Sequence, residues 1–417
     1  MKLMRNYVGS WRMVCLVMLL VSGTLACSTE HEGETDHSQT LLIYMAGNSN
    51  LSSYAYANIE SMTEGYVPKW CRPGKGDVLL VYLHTKDTLP RLLRLYRDNR
   101  NQVKQEVLRE YDPHHSLDPA VMRQVLSFAA ETYPAQENGL VLWSHGTGWL
   151  PKGYYDDPDA YEHLEYPHRT QQRYPSLDED PMRDYVKAMG PDSGVEIDLQ
   201  ELAAALPVHY DYLIFDACLM AAVEVAYELR EKTALMVASS AEILAEGFPY
   251  KSYIRPILSG PKADLESVAR IYYDYYNEQS GYYRSATISL IRTDALEELA
   301  DVVKPIFGTY RDEIRQLDRY SVQGFYRNQR DFFFDLEDFI ARVATPQELD
   351  QLQQALDKVV LYKAATPAFL DGPSYGFDIR THCGLTTYIP DPAKSYLNEY
   401  YRSLAWNQAV GLVIAEN

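Results

Sequence analysis

Several common catalytic signatures are missing from this chain. It contains no His-Glu-x-x-His helix, no phosphate-cradling Gly-Lys loop, no dinucleotide-binding glycine fingerprint and no Gly-x-Ser-x-Gly elbow. Those absences set aside zinc peptidases of that type, P-loop and Rossmann enzymes, and the serine hydrolases built on that elbow. Positive charge is also scarce: 39 Lys and Arg stand against 58 Asp and Glu, a formal net charge of −19. Nucleic acid is bound by neutralising its phosphates with basic groups, so no nucleic-acid partner is expected. An acidic field favours the approach of cationic segments and equally serves solubility. Cysteine is sparse as well, with five in 417 residues.

What is present begins at the N-terminus. Lys2, Arg5 and Arg12 precede an apolar run over residues 13–21 that is too short to span a bilayer, and small residues follow, the layout of an export signal. The stretch Gly23-Thr24-Leu25-Ala26-Cys27 resembles a bacterial lipoprotein signal, which implies cleavage after residue 26 and a lipid on Cys27. Ordinary secretion with cleavage nearby is the alternative, and both readings place the protein outside the cytoplasm. Residues 27–39 carry Glu30, Glu32, Glu34 and Asp36 with too little apolar surface to bury, which predicts a flexible acidic tether. Such tethers resemble those of surface lipoproteins, leaving open the cell surface or the periplasmic face of an outer membrane. Cys15 leaves with the signal, so Cys71, Cys218 and Cys383 remain in the folded body, an odd number that directs attention to a reactive thiol.

Short apolar runs recur at residues 41–46, 78–83, 139–143, 210–215 and 234–238, separated by segments of helical character at 51–62, 119–133, 199–206 and 219–232. Buried strands alternating with helices predict an α/β fold with a mostly parallel central sheet covered on both faces. The stretch 149–194 lacks apolar periodicity and is expected to form a long surface insertion. Residues 40–261 form the expected core, and 262–417 a mainly helical extension, with helices near 264–278, 294–318, 331–343 and 347–362. Late strands at 285–291 and 384–389 are expected to rejoin the sheet. Tyr272, Tyr273, Tyr275, Tyr276, Tyr282 and Tyr283 cluster in this extension; their spacing favours packing over display on a partner surface.

The chemistry concentrates at two strand ends, Val141-Leu142-Trp143-Ser144-His145-Gly146-Thr147-Gly148 and Leu213-Ile214-Phe215-Asp216-Ala217-Cys218-Leu219-Met220. Ligands of open α/β sheets bind outside the carboxyl ends of strands, so neighbouring strands would deliver His145 and Cys218 to one crevice. An imidazole near a thiol promotes the thiolate and returns a proton to the leaving amine. Cys218 is also expected to begin a helix, whose positive end favours thiolate. Gly146 lets a substrate approach, and its amide with that of Cys218 is suited to an oxyanion hole. Alone, a Cys after a strand reads as a small buried hydrophobe and a lone His as structural.

Together with Tyr44-Met45-Ala46-Gly47-Asn48-Ser49-Asn50-Leu51, the segments His145-Gly146-Thr147-Gly148-Trp149 and Asp216-Ala217-Cys218-Leu219-Met220 resemble the clostripain family of cysteine peptidases, over most of residues 40–390. The resemblance implies a caspase-like fold, His145 as catalytic histidine, Cys218 as nucleophile, and Asp216 as the acid receiving a basic P1 side chain. Strand alternation puts Asp216 and Cys218 on one side, and a carboxylate suits an Arg or Lys by a charge-assisted pair. The competing role for Asp216 is a helix cap or turn acid. Ser239, Ser240 and Glu242 are expected to wall the P1 pocket, where this chain departs from better known relatives. Family members can be activated by cleavage between His and Cys, and Lys152, Arg169, Arg173, Arg183 and Lys187 are candidate points. Part of the family depends on calcium; Asp156, Asp157 and Asp159, or Asp178, Glu179 and Asp180, are possible oxygen donors, but their spacing matches no EF-hand and no metal or cofactor is assigned. The expected partners are protein or peptide substrates and, through Cys27, a membrane, with the chain a monomer. The rival readings are an inactive surface lipoprotein that binds protein or glycan, and a peptidase of different P1 preference.

Overall fold

The computed structural model of the chain describes residues 35–162, 174–187 and 195–415. The export signal, Cys27, most of the acidic tether, Arg169 and Arg173 lie outside these residues.

The apolar runs become strands because their side chains are buried on both faces, as parallel strands require. They are β1 (Gln39–Gly47), β2 (Val78–Thr85), β5 (Glu137–Trp143), β6 (Tyr210–Asp216) and β7 (Thr233–Ala238), every residue of β1 and β2 being buried. Between β2 and β5 run β3 (Thr88–Arg97) and β4 (Val103–Glu110), followed after β7 by β8 (Thr287–Arg292), the two-residue β9 (Phe334–Asp335) and β10 (Val360–Ala365). The main sheet has the order β10-β8-β7-β6-β5-β1-β2-β3-β4. Its five central strands are parallel, and the strands outside them are antiparallel.

Two features of the sheet differ from expectation. The hairpin β3–β4 extends the β2 edge, and β4 ends the sheet with Lys104, Glu106, Arg109 and Glu110, charges that discourage pairing with another chain. Its sparse alternation hides it from an apolar-run reading. Of the late strands, 285–291 does join the sheet as β8, whereas around 384–389 only Thr386–Thr387 is strand, and it pairs with β9 in a separate ribbon.

Helices cover both faces. One layer holds α1 (Ser52–Glu64), later joined by α5 (Tyr250–Leu258) and α6 (Leu265–Asn277); the other holds α2 (Pro119–Thr132), α3 (Leu199–Ala205) and α4 (Val223–Glu228), continued by α7 (Leu296–Thr309) and α8 (Pro346–Val359). Local chemistry sets their ends. Asp118 accepts from the amides of Ala120 and Val121 ahead of Pro119, and Thr345 with Glu348 forms a capping box ahead of α8. Much of the described part of the expected surface insertion is interior: Trp149, Tyr154, Tyr155, Tyr174, Leu177, Met182 and Val186 are all buried. Its aromatic rings interlock with the C-terminal region, as with Trp149 against Tyr388 and Tyr401, which periodicity alone does not reveal.

Candidate active site

Strands β5 and β6 pair with Trp143 opposite Asp216, so the chain leaves both at the same level, and His145 and Cys218 each follow two residues later. Gly146 makes this approach possible: a Cβ there would stand 2.6 Å from the Cys218 carbonyl oxygen and 2.9 Å from its nitrogen. The helix expected from residue 219 starts instead at Val223, behind a turn in which Leu219 has φ +64°. Cys218 therefore does not sit on a helix N-terminus, and the dipole argument for its activation does not apply.

Both groups meet one peptide. Residues 185–187 lie antiparallel to 243–245, with the Lys187 amide donating to Ile243 O at 2.8 Å and the Ala245 amide to Tyr185 O at 2.9 Å. The Lys187 carbonyl accepts from His145 Nδ1 at 2.7 Å, so Nδ1 carries the hydrogen, and the Lys187 amide also reaches the Cys218 sulfur. His145 Nε2 lies 2.9 Å from Asn50 Oδ1 and 3.4 Å from the Ser49 hydroxyl, which can donate to it. The sulfur accepts from the Ile243 amide at 3.0 Å.

The Lys187 side chain runs inward. Its fully buried ammonium is 2.6 Å from Asp216 Oδ1 and 4.2 Å from the centre of the Trp143 ring. Tyr250 donates to Asp216 Oδ2 at 2.8 Å. Gly247, at φ +72°, leaves the room needed, since a Cβ there would be 2.5 Å from Asp216 Oδ2 and 2.6 Å from Lys187 Nζ. The cavity around the Asp216 carboxylate is thus built from Trp143, Tyr250 and Gly247.

Ser239, Ser240 and Glu242, expected in its wall, engage other groups. Ser239 pairs with Thr287 at 2.8 Å, Ser240 with His382 at 3.1 Å, and Glu242 with Arg327. Residues 239 and 241, just beyond β7, accept through their carbonyls from the amides of Ala221 and Leu219, which follow Cys218. Arg327 in turn holds Asp180 at 2.8 Å, a buried cluster joining the 174–187 segment to the C-terminal region.

Electrostatics keep the pair neutral while the segment is docked. Burial, reinforced by the Lys187 and Arg183 cations, pushes the His145 imidazole down to about 4. Burial and the neighbouring Glu242 carboxylate raise the Cys218 thiol well above its ordinary value. Burial also lowers the Lys187 ammonium, against the pull of Asp216. Cys71, Cys218 and Cys383 are all free thiols, and all are buried.

Of the carboxylates considered for calcium, Asp159 accepts from the Tyr174 amide, Asp178 pairs with Arg183, and Asp180 with Arg327. Among the described residues, no group of three His, Cys, Asp or Glu is placed to hold a metal ion. Sequence reasoning gave no role to Asn50, Trp143, Tyr250, Gly247 or Arg327. Asn50 lay within a quoted motif, but its contact with His145 spans 95 positions of the chain.

The clostripain family model matches residues 43–166 and 178–410. Among solved structures, the chain is similar to an inactive zymogen C11 protease from Parabacteroides distasonis, at 29% identity and a TM-score of 0.74, covering 90% of this chain and 99% of that one. It is also similar to a secreted C11 cysteine protease from Bacteroides thetaiotaomicron in complex with an irreversible peptide inhibitor, at 26% identity and a TM-score of 0.69, with coverage of 90% and 99%. No curated protein matched the sequence. With the family model spanning most of the chain and the sheet arranged as described, the chain belongs to the clostripain family and is a cysteine-type peptidase.

Proposed function

We propose that this peptidase is an endopeptidase that cuts after lysine or arginine, and that the described chain is its self-inhibited form. One observation carries the reading: Lys187 lies across the site as a substrate would, its ammonium on Asp216 and its backbone between His145 and Cys218. Among the candidate activation points, this one is seated at the reactive groups. The bond after Lys187 is the proposed processing site. The Parabacteroides distasonis relative is described as an inactive zymogen, and the Bacteroides thetaiotaomicron one was captured with a peptide inhibitor; both fit this reading.

The mechanism follows from the groups present. His145 accepts the thiol proton, and the sulfur attacks the carbonyl carbon of the residue seated on Asp216. Negative charge collects on the carbonyl oxygen near the amides of Gly146 and Cys218. Collapse breaks the C–N bond as the imidazolium protonates the amine, leaving a thioester that water hydrolyses to acid and free thiol. Asn50 Oδ1, 2.9 Å from Nε2, accepts a hydrogen bond from that nitrogen only once the imidazole is protonated, and so favours the imidazolium. Departure of the segment rehydrates the dyad, which moves His145 up and Cys218 down, toward the reactive ion pair; loss of the Lys187 cation adds to the rise at His145 and opposes the fall at Cys218, where burial is the larger cause.

Purified chain should convert to two fragments whose smaller N-terminal piece ends at Lys187, and Cys218→Ala should stay intact. Fluorogenic peptides should then be cleaved with Lys or Arg at P1 and not with Asn or Asp. An intact wild-type chain whose Cys218 reacts with iodoacetamide no faster than a model thiol after proteolytic opening would instead support the inactive binding protein. Export and lipid attachment at Cys27 belong to the same proposal. Among the described residues, no helix is long and apolar enough to cross a membrane. If Cys27 carries the lipid as proposed, Cys27→Ala should move the protein from the membrane fraction to the soluble fraction.

A further inference from the structure

The docked segment also shows what surrounds the residue two positions before Lys187. That residue is Tyr185, the last of a short 3-10 turn over Arg183–Tyr185 that opens into extended backbone at Val186, and its carbonyl accepts from the Ala245 amide at 2.9 Å. Val186 is buried opposite Leu244, while the Tyr185 ring meets two aromatic rings. Its centroid is 5.0 Å from that of Tyr282 at an interplanar angle of 68°, and 6.3 Å from that of Tyr283 at 73°. Both contacts are edge-to-face, the favoured geometry for aromatic pairs. Tyr282 and Tyr283 rest on each other, 4.4 Å apart.

This shelf is held in place independently of the segment. The turn after α6 is closed by the Arg284 amide on Gly281 O at 3.0 Å, and the Arg284 guanidinium grips the Asn277 side chain at 2.7 Å. Ser285 donates to Tyr282 O at 2.6 Å. From the opposite side, the Tyr54 hydroxyl donates to the Asp184 carbonyl at 3.3 Å, fixing the backbone just before Tyr185. Tyr282 is half-buried and Tyr283 exposed, so removing the segment would leave an open aromatic surface beside the substrate path.

We propose that Tyr282 and Tyr283 form the P3 subsite of this peptidase and that it prefers substrates with an aromatic residue two positions before the cleaved lysine or arginine. The inference rests on the reading that Lys187 marks P1. It assigns a binding role to tyrosines whose spacing otherwise suggests packing alone; Tyr272 and Tyr276 in the same run are fully buried and do pack.

The test uses the processed enzyme and two coumarin peptides, acetyl-Tyr-Val-Lys and acetyl-Ala-Val-Lys. An edge-to-face pair of this kind corresponds to roughly three- to tenfold, so kcat/KM for the tyrosine peptide should exceed that for the alanine peptide by about that factor. The Tyr282→Ala/Tyr283→Ala enzyme should bring the two peptides to within about twofold of each other, and Tyr282→Phe/Tyr283→Phe should restore the gap. If wild type cleaves both peptides equally well, the subsite is refuted while cleavage after lysine stands. If neither peptide is cleaved, the lysine-specific reading fails and takes the subsite with it. A preference that survives the double alanine substitution would place the P3 contact elsewhere and overturn the assignment.

Discussion

Asp216 and Lys187 illustrate how much one buried charge pair decides. Both side chains are fully buried, and removing one partner of such a pair leaves an uncompensated charge, at about 3–5 kcal/mol. Asp216→Asn should therefore reduce kcat/KM on lysine peptides by roughly 10²–10³, while an uncharged P1 side chain loses far less. Steady-state kinetics on paired peptides checks this; an equal loss on both would point to a structural role for the carboxylate. His145 supplies a pH dependence. Its imidazole is held near 4 in the closed form and titrates near its ordinary value, about 6.5, when unfolded. Between pH 7 and pH 5 the unfolded chain takes up a proton that the closed form refuses, so stability is present above about 6.5 and is lost as pH falls. In Cys218→Ala protein the loss should be about 2 kcal/mol. Thermal melts at the two pH values should show a smaller difference once His145→Asn is added. His382, pushed down to about 3, acts in the same direction and Asp77, raised to about 6, against it, but both are common to the two proteins.

At the scale of elements, the chain's own segment pairs edge-on with a neighbouring loop, and the proposed reading has substrates follow the same path. The 185–187 segment pairs with 243–245 through the Lys187 amide and the Tyr185 carbonyl, while no backbone bond to this strand comes from Val186. Methylating the P1 amide of a peptide inhibitor should then weaken binding about tenfold or more, because the Ile243 carbonyl loses its donor in a buried setting. Methylation of the P2 amide should cost clearly less. Inhibition constants for the two methylated peptides decide the matter, and equal losses would mean that substrates do not follow the path of the segment. The same elements show what could be read early. Strand ends at Trp143 and Asp216 were visible as apolar runs closing on polar residues, and they lead to His145 and Cys218. The start of α4 was not, because the turn at Leu219 has the left-handed conformation that β-strand or helix patterning does not signal.

For the whole molecule, the notable connection is the buried cluster of Asp180, Arg327 and Glu242. It ties the segment that blocks the site to the loop before β9, with Arg327 Nη2 3.1 Å from Glu242 Oε1 and Asn328 adding a bond to Asp180 at 3.0 Å. The C-terminal region thus holds the 174–187 segment as well as completing the sheet with β8 and β10. Arg327→Met would bury two carboxylates without their cation and should destabilise Cys218→Ala protein by about 3–5 kcal/mol. Denaturant titration measures the loss. In the wild-type background the same substitution should speed fragment formation; unchanged processing together with lowered stability would confine the cluster to a structural role.

Apolar runs and their spacing already determine an α/β fold with His145 and Cys218 each just beyond the carboxyl end of a strand, because burial on both faces is a local consequence of residue type, and the resemblance of the strand-end motifs to the clostripain family adds the peptidase. That resemblance also places Lys187 among five candidate cleavage points without separating it from the others. Only the tertiary structure sets its side chain in the site, since that depends on Asp216, Trp143, and Gly247 with Tyr250 converging from three separate stretches of chain on one ammonium. Charge burial is a property of that assembled cavity, and no spacing along the chain encodes it.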